Sequence, residues 1–422
     1  MVKRNLLRLL NNLRRFNGEV VQIHISYFEN FELEILFAVS DLRQIFVRYQ
    51  IQFHPSSSVI MSQRAVLNCL KFSLVATLLL ILQPVFSQTK KSTAPSLFPD
   101  LESAIEPRRK DLGGDLMVYV ANRDTVVYQK AFGDVNNRTQ APAGAASTWF
   151  TTALVLQLVD EGKISLDDKV TQYLPVYGSY YKSYITVRHC LTNTTGIKAE
   201  PFKTANVHEM ARFASLEEEV ANYAKIDIAA NAGDAYNYNG MGTNIAARIV
   251  EIVTKKKFEQ LMRQRIFTPL GMRNSTFASD DGSAPNPAFG AKTTAADFIR
   301  FLQMILNNGV FAGKQILSEK AVAEMRKIQV ESSRMNGVSK AFAGLEQTLG
   351  VWAIEGSEKV GASASALVYP SLTGVWPMVD FSRGYAFVLL PKTFTGEQNS
   401  NVYMGLKQVF DEKWKGRKND AR

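Results

Sequence analysis

The chain has 422 residues, 46% hydrophobic and 21% charged, a composition of packed globular proteins that excludes a disordered or fibrous chain. Leaving out the nine basic and five acidic residues before Gln88 reduces 49 Lys and Arg against 39 Asp and Glu to 40 against 34, a net charge of +6. This mild excess forms no Lys/Arg cluster interleaved with aromatics, which argues against a nucleic-acid partner, and no repeat of solenoid or propeller length occurs.

Residues 1–60 are rich in Arg and Leu and carry no catalytic motif; His24 and His54 read as incidental. From Met61 the pattern changes to that of an export signal over residues 61–87. Arg64 and Lys71 precede a largely apolar run from Phe72 to Leu82, then Pro84, then small Ser87 before Gln88. The run is shorter than the roughly 20 residues that a membrane-spanning helix needs, so no stable span is expected after cleavage. The mature chain, residues 88–422, is therefore expected to be exported, periplasmic or secreted. Translation starting at Met61 leaves residues 1–60 as an upstream extension without assigned function; a short cytoplasmic segment ahead of a retained anchor is the other reading.

In the mature chain, Leu97 to Arg109 reads as helical, and Asp115 to Ala121 and Thr125 to Ala131 read as strands around the turn Asn122-Arg123-Asp124. Ala145-Ala146-Ser147-Thr148 then open a helix, Trp149 to Glu161, that is apolar on nearly every face and stops at Gly162. Such a helix belongs inside the protein. Its first turn would present free backbone N–H groups and a positive dipole end to a shielded pocket. Helical spacing or caps follow at Leu216 to Tyr223, Thr243 to Thr254, Phe258 to Arg265, Thr294 to Asn307 and Ser318 to Arg326. Strands return at Leu349 to Glu355, Ala364 to Tyr369, Gly374 to Phe381 and Tyr385 to Leu390, before a last helix from about Ser400 to Trp414. Cys190 is the one cysteine left after cleavage and reads as a small core residue, with His189 beside it structural. With His208 the only other mature histidine, neither a metal site nor a Ser-His-Asp set is expected.

The blocks LVLQLVDEGKISLDDKVTQYLPVYG, YITVRHCLTNTTGI, FTPLGMRNSTF and TTAADFIRFLQMILNNGVFAGKQILSEKAVAEM occur in this order. Together they resemble the serine β-lactamase and penicillin-binding-protein superfamily, in its branch of class C β-lactamases and related esterases, from about Phe98 to about Trp414. The resemblance implies an α+β fold of the β-lactamase/transpeptidase type: a five-stranded antiparallel sheet flanked by helices, plus an all-α subdomain, with the active-site cleft at their junction.

Three boxes line that cleft in the family. The first is S-x-x-K at the start of the buried helix, where residues three apart share a face and the Lys amine can take the Ser proton. Here PAGAASTWF places Ala145 at the nucleophile position and Thr148 at the lysine position. Ser147 offers a hydroxyl one residue from Thr148, but its partner three residues on is Phe150. A literal Ser179-Tyr180-Tyr181-Lys182 lies in a polar connection and reads as coincidence. The second box, a Tyr followed two residues later by Asn or Gly, matches Tyr238-Asn239-Gly240, with Tyr236 the alternative; Tyr238 fits either a proton shuttle or a packed cleft wall. The third box, Lys or His, then a small or hydroxyl residue, then Gly, aligns with Tyr369-Pro370-Ser371, so the cation is absent and Ser replaces Gly. Asn239, Gly240, Pro370 and Ser371 are the expected cleft-binding residues.

Two functions from different classes follow. One is a descendant that performs no acyl-serine hydrolysis and serves as a binding or structural protein, with a small-molecule or peptide ligand in the cleft. The other is a working esterase or amidase using Ser147 with Tyr238 as base, or a relocated nucleophile. Neither requires a cofactor or a metal.

Overall fold

The computed structural model describes residues 22–28, 32–38, 98–199, 213–335, 338, 340–356, 359–396 and 400–420. The chain divides into two units, residues 1–92 and 93–422. In the first, Gln22–Phe28 pairs antiparallel with Glu32–Ala38, with Gln22 opposite Ala38. The expected export signal, residues 61–87, lies outside the described residues, as does His208.

The second unit opens with helix α1 (Pro99–Ile105), followed by strands β1 (Leu116–Ala121) and β2 (Val126–Phe132). Asn122 closes their turn by accepting the N–H groups of Asp124 and Thr125 on Oδ1, at 2.9 and 2.7 Å. A 3-10 turn at Gly144–Ala146 leads into α2 (Ser147–Asp160). The helical region continues with α3 (Val187–Leu191), α4 (Leu216–Lys225), α5 (Met241–Thr254), α6 (Phe258–Met262), α7 (Ala295–Leu306) and α8 (Glu319–Met325). Ser215, Thr294 and Ser318 each accept a backbone N–H on the side chain at the start of α4, α7 and α8; such caps satisfy donors that a helix leaves unpaired in its first turn. Strands β3 (Glu346–Gln347), β4 (Trp352–Gly356), β5 (Ala364–Val368), β6 (Trp376–Asp380) and β7 (Tyr385–Pro391) precede α9 (Ser400–Asp420).

The strands form one antiparallel sheet in the order β2-β1-β7-β6-β5-β4-β3. Seven strands stand where five were expected. The sheet grows past β5 because Trp352 and Ala353 continue the ladder opposite Val368 and Leu367 before bulges interrupt it. Gln347 then holds the new edge, its Nε2 donating to the carbonyls of Thr348 and Val351 at 2.9 and 2.8 Å.

Both faces of the central strands are covered, which is why β1 and β7 read as unbroken apolar runs. Helix α7 packs on β1, β7 and β6, and α9 packs against α1. Tyr385 and Phe387, two apart and so on one face of β7, meet the Phe410 ring of α9 at 4.7 and 6.4 Å. Trp376 stacks on Tyr403 at 4.4 Å. The same helix carries Lys407, 4% exposed, whose ammonium donates to Glu355 at 2.6 Å and Asp411 at 2.5 Å and lies 3.5 Å from Asp380. Burial pushes the Glu355 carboxyl upward, and Lys407 and Arg383 more than reverse this, leaving it below its ordinary value.

Helix α2 is enclosed as its sequence requires: Phe150 meets Phe298 and Phe301 of α7 at 4.7 and 4.8 Å. The chain leaves the helix at Gly162, where Lys163 N–H reaches back to Leu158 O at 2.9 Å. Its opposite end, at Ala145, meets the turn between β5 and β6.

Candidate functional site

The turn into α2 depends on Gly144, whose φ of +54° puts it in the left-handed region that favours glycine. The approach of the β5–β6 turn is equally restrictive: a methyl added at Gly144 would lie 2.5 Å from Ser371 Oγ and 2.6 Å from Thr373 Cγ2. Ala145 follows, with its methyl buried. Its backbone N–H donates to Ser371 Oγ at 3.1 Å, and Ser371 in turn shares a hydrogen bond with Thr373 Oγ1 at 3.0 Å. A donor at this place could steady a developing oxyanion; here it is bound by a side chain of the same protein.

Ser147 has no exposure to solvent. Its Oγ donates to Gly144 O at 2.5 Å and accepts the Ala291 N–H at 3.0 Å, tying the helix start to the segment that precedes α7. Thr148 Oγ1 donates to Ala288 O at 3.3 Å, and Thr151 does the same to Pro287 O at 2.7 Å. The hydroxyls of the first helical turn thus anchor the neighbouring loop.

Tyr238, Asn239 and Gly240 lead into α5. Asn239 Oδ1 accepts the Met241 N–H at 2.9 Å, and Gly240, at φ +77°, sits where a methyl would come within 2.4 Å of the Phe289 ring. Tyr238 is half-buried with its hydroxyl fully enclosed. Its ring packs on Phe342 at 5.4 Å and edge-on to Phe289 at 6.2 Å. Phe342 also stacks on Trp352 at 4.5 Å and meets Tyr369 edge-on at 6.3 Å, while Tyr236 abuts Trp352 at 5.7 Å. Six aromatic rings therefore fill the wall between the second and third boxes, and Pro370 is buried next to Tyr369 in the chain.

The polar atoms of this nest are shielded from solvent. Burial pushes the Tyr369 hydroxyl above its ordinary value, and Tyr238, Thr148 and Trp352 beside it pull part of the way back. Tyr236 Oη, Tyr238 Oη and Trp352 Nε1 are buried without a well-directed hydrogen bond. Burial, then the neighbouring Tyr369 and Tyr236, raise the Tyr238 hydroxyl well above the ordinary tyrosine value. A general base works best with its pKa near the operating pH, so this environment keeps Tyr238 a protonated donor.

The residues that the sequence pattern aligns with the three boxes are neighbours in the fold: Ala145 bonds Ser371, and Tyr238 and Thr148 lie beside Tyr369. The pattern gave no signal for Phe342, Trp352 or Thr373, which come from a short 3-10 turn, a strand and a turn that no motif marks. Other candidates lie apart from this place: Lys182 Nζ donates to Ala224 O at the end of α4, at 2.8 Å. His189 closes a capping box with Thr186, both bonds 3.2 Å, and Cys190 is buried, which pushes its thiol upward. Among the described residues no group of three or more His, Cys, Asp or Glu could hold a metal ion, and no helix is long and apolar enough to cross a membrane.

A family model described as Beta-lactamase matches residues 101–403. The chain is 29% identical to Penicillin-binding protein 4 of Amycolatopsis lactamdurans over 218 residues, 44% of this chain and 56% of that protein. It is 25% identical to Beta-lactamase-like protein 2 of Dictyostelium discoideum over 217 residues, 47% of this chain and 39% of that one. The chain thus spans about half the length of the curated relatives it matches. A solved structure from Bacteroides dorei, described as a candidate β-lactamase, superposes with a TM-score of 0.66 at 26% identity, over 75% of this chain and 99% of that one. A family VIII carboxylesterase superposes at 0.62 over 76% of this chain and 98% of its own, and at 17% identity that likeness carries the fold alone.

Proposed function

The chain belongs to the serine β-lactamase and penicillin-binding-protein superfamily, and from that premise we propose that it is a non-hydrolysing member retained as a binding or structural protein. What carries this is one place, the start of α2, where residue 145 has no attacking oxygen and its amide is held by Ser371 Oγ. Loss of a nucleophile alone removes about six orders of magnitude in rate. Here Thr148 also replaces the activating amine, and the aromatic nest occupies the wall against which substrate would lie.

The competing function is an esterase or amidase acting through Ser147 and Tyr238. It is favoured by retention of the tyrosine, and opposed by a Ser147 hydroxyl that is enclosed and already makes two hydrogen bonds. Incubation of the protein with a fluorescent β-lactam and with a fluorophosphonate separates the two. We expect no covalent adduct by intact mass and chromogenic ester turnover at the uncatalysed level, the same in Ser147→Ala. An adduct on any hydroxyl would overturn the proposal, and turnover abolished by Ser147→Ala would establish the hydrolase.

A further inference from the structure

A second concavity, of about 780 Å³, lies between the β1–β2 turn, the loop after Gly271 and the outer side of α7. Three arginines from three elements line it: Arg123 in the turn, Arg273 in the loop and Arg300 on the helix. Two are held in place through one guanidinium nitrogen each, Arg123 Nη1 donating to Leu306 O and Arg300 Nη1 to Gly271 O. Arg300 Nη1 also lies 3.8 Å from Asp297 Oδ1; a guanidinium carries five donors, and the other guanidinium nitrogens of Arg123 and Arg300 make no hydrogen bond to a described residue. The Arg273 side chain has no ion pair or hydrogen bond to a described residue and is exposed.

Neutral groups point the same way. Tyr119 lines the concavity from β1, is only 3% exposed, and its hydroxyl has no hydrogen-bond partner among the described residues. Burial pushes that hydroxyl upward and the nearby Arg300 guanidinium opposes the shift. The scaffold is fixed: Gln303 Nε2 and Asn307 Nδ2 of α7 and the residue after it donate to the carbonyls of Asn122 and Arg123, at 3.1 and 2.7 Å. Two carboxylates also line the site. Asp297 accepts the Asn274 N–H at 2.7 Å and the Ser275 hydroxyl at 3.0 Å, and Asp124 is exposed at the turn.

We propose that this concavity binds a small polyanion bearing carboxylate or phosphate groups, gripped by the free guanidinium faces of Arg123, Arg273 and Arg300 with the Tyr119 hydroxyl as a further donor. Arginine forks match both anions by paired N–H bonds, and a cleft with excess positive charge on rigid elements concentrates such a ligand. The site is separate from the helix start of α2, so it is independent of whether that start hydrolyses anything.

Calorimetric titration of the full chain at low salt tests this, with citrate and inorganic pyrophosphate as probes and glucose as the uncharged control. We expect saturable binding of at least one anion, none of glucose, and weakening as salt rises. Arg273→Ala, which breaks no bond to a described residue, should weaken binding about tenfold or more, corresponding to loss of a charge-assisted contact of roughly 1.4 kcal/mol. Arg273→Lys should restore part of it, and Arg123→Ala should weaken it independently. Which probe binds distinguishes the carboxylate from the phosphate source. Failure of both to bind, or undiminished binding in Arg273→Ala and Arg123→Ala with folding verified by circular dichroism, would overturn the proposal.

Discussion

A hydrogen bond between residues 226 positions apart, Ala145 N–H to Ser371 Oγ, carries the function proposed above more than any motif does. The sequence offered both partners as residues aligned with the family's boxes. It could not show that one substitution completes the other: a serine where glycine is expected becomes the acceptor for the amide of the alanine. Ser147 was likewise legible only as a hydroxyl, and its role emerged from the Gly144 and Ala291 backbone groups that the fold brings to it. Restoring letters should therefore not restore function. The double variant Ala145→Ser with Thr148→Lys would place an amine among Tyr369, Ala288 and the enclosed loop; we expect a loss of about 1–3 kcal/mol by chemical denaturation, as for other overpacked sites, and no β-lactam adduct by mass spectrometry.

At the scale of elements, the outline was legible wherever local chemistry decides it. Ser318 before α8, Thr294 before α7 and Gly162 after α2 stand where the pattern places them, since caps act within a turn of the residue that supplies them. Strand count was less legible: β3 is two residues long and exists through Gln347, whose edge bonds no periodicity encodes. Helix α9 shows how a single charge can fix an element. Lys407 sits among Glu355, Asp380 and Asp411, so Lys407→Met leaves buried carboxylates short of a cation. Breaking such a set costs about 3–5 kcal/mol, and we expect a drop of about 3 kcal/mol at pH 7 in urea unfolding, with Arg383 limiting the loss. In the wild type the lowered Glu355 contributes stability above the ordinary glutamate range that fades as pH falls through its folded value. The variant removes the Lys407 contribution that helps hold Glu355 low, so the deficit should shrink as pH falls from neutral toward the carboxylate range.

For the molecule as a whole, a sheet covered on both faces and a helical subdomain meet at α2, as the ordered blocks imply. The closure of that junction was not legible, because Phe342, Trp352, Tyr236, Tyr238 and Tyr369 reach it from separate segments and only tertiary packing brings their rings together. Phe342 meets three of the other four, Tyr238, Trp352 and Tyr369. Phe342→Ala should cost about 3 kcal/mol, near the lower end for a buried phenylalanine, measured as a shift of the denaturant midpoint at unchanged slope. β-Lactam labelling should stay absent in that variant, since opening the nest supplies no oxygen at residue 145.

The nest has an evolutionary corollary. On the function proposed above, no single substitution at a ring or at the Ser371 bridge would give selection anything to favour. Gaining hydrolysis would require a nucleophile, a proton acceptor, a freed amide and a vacated wall to appear together, so new roles would arise more readily on other faces of the molecule.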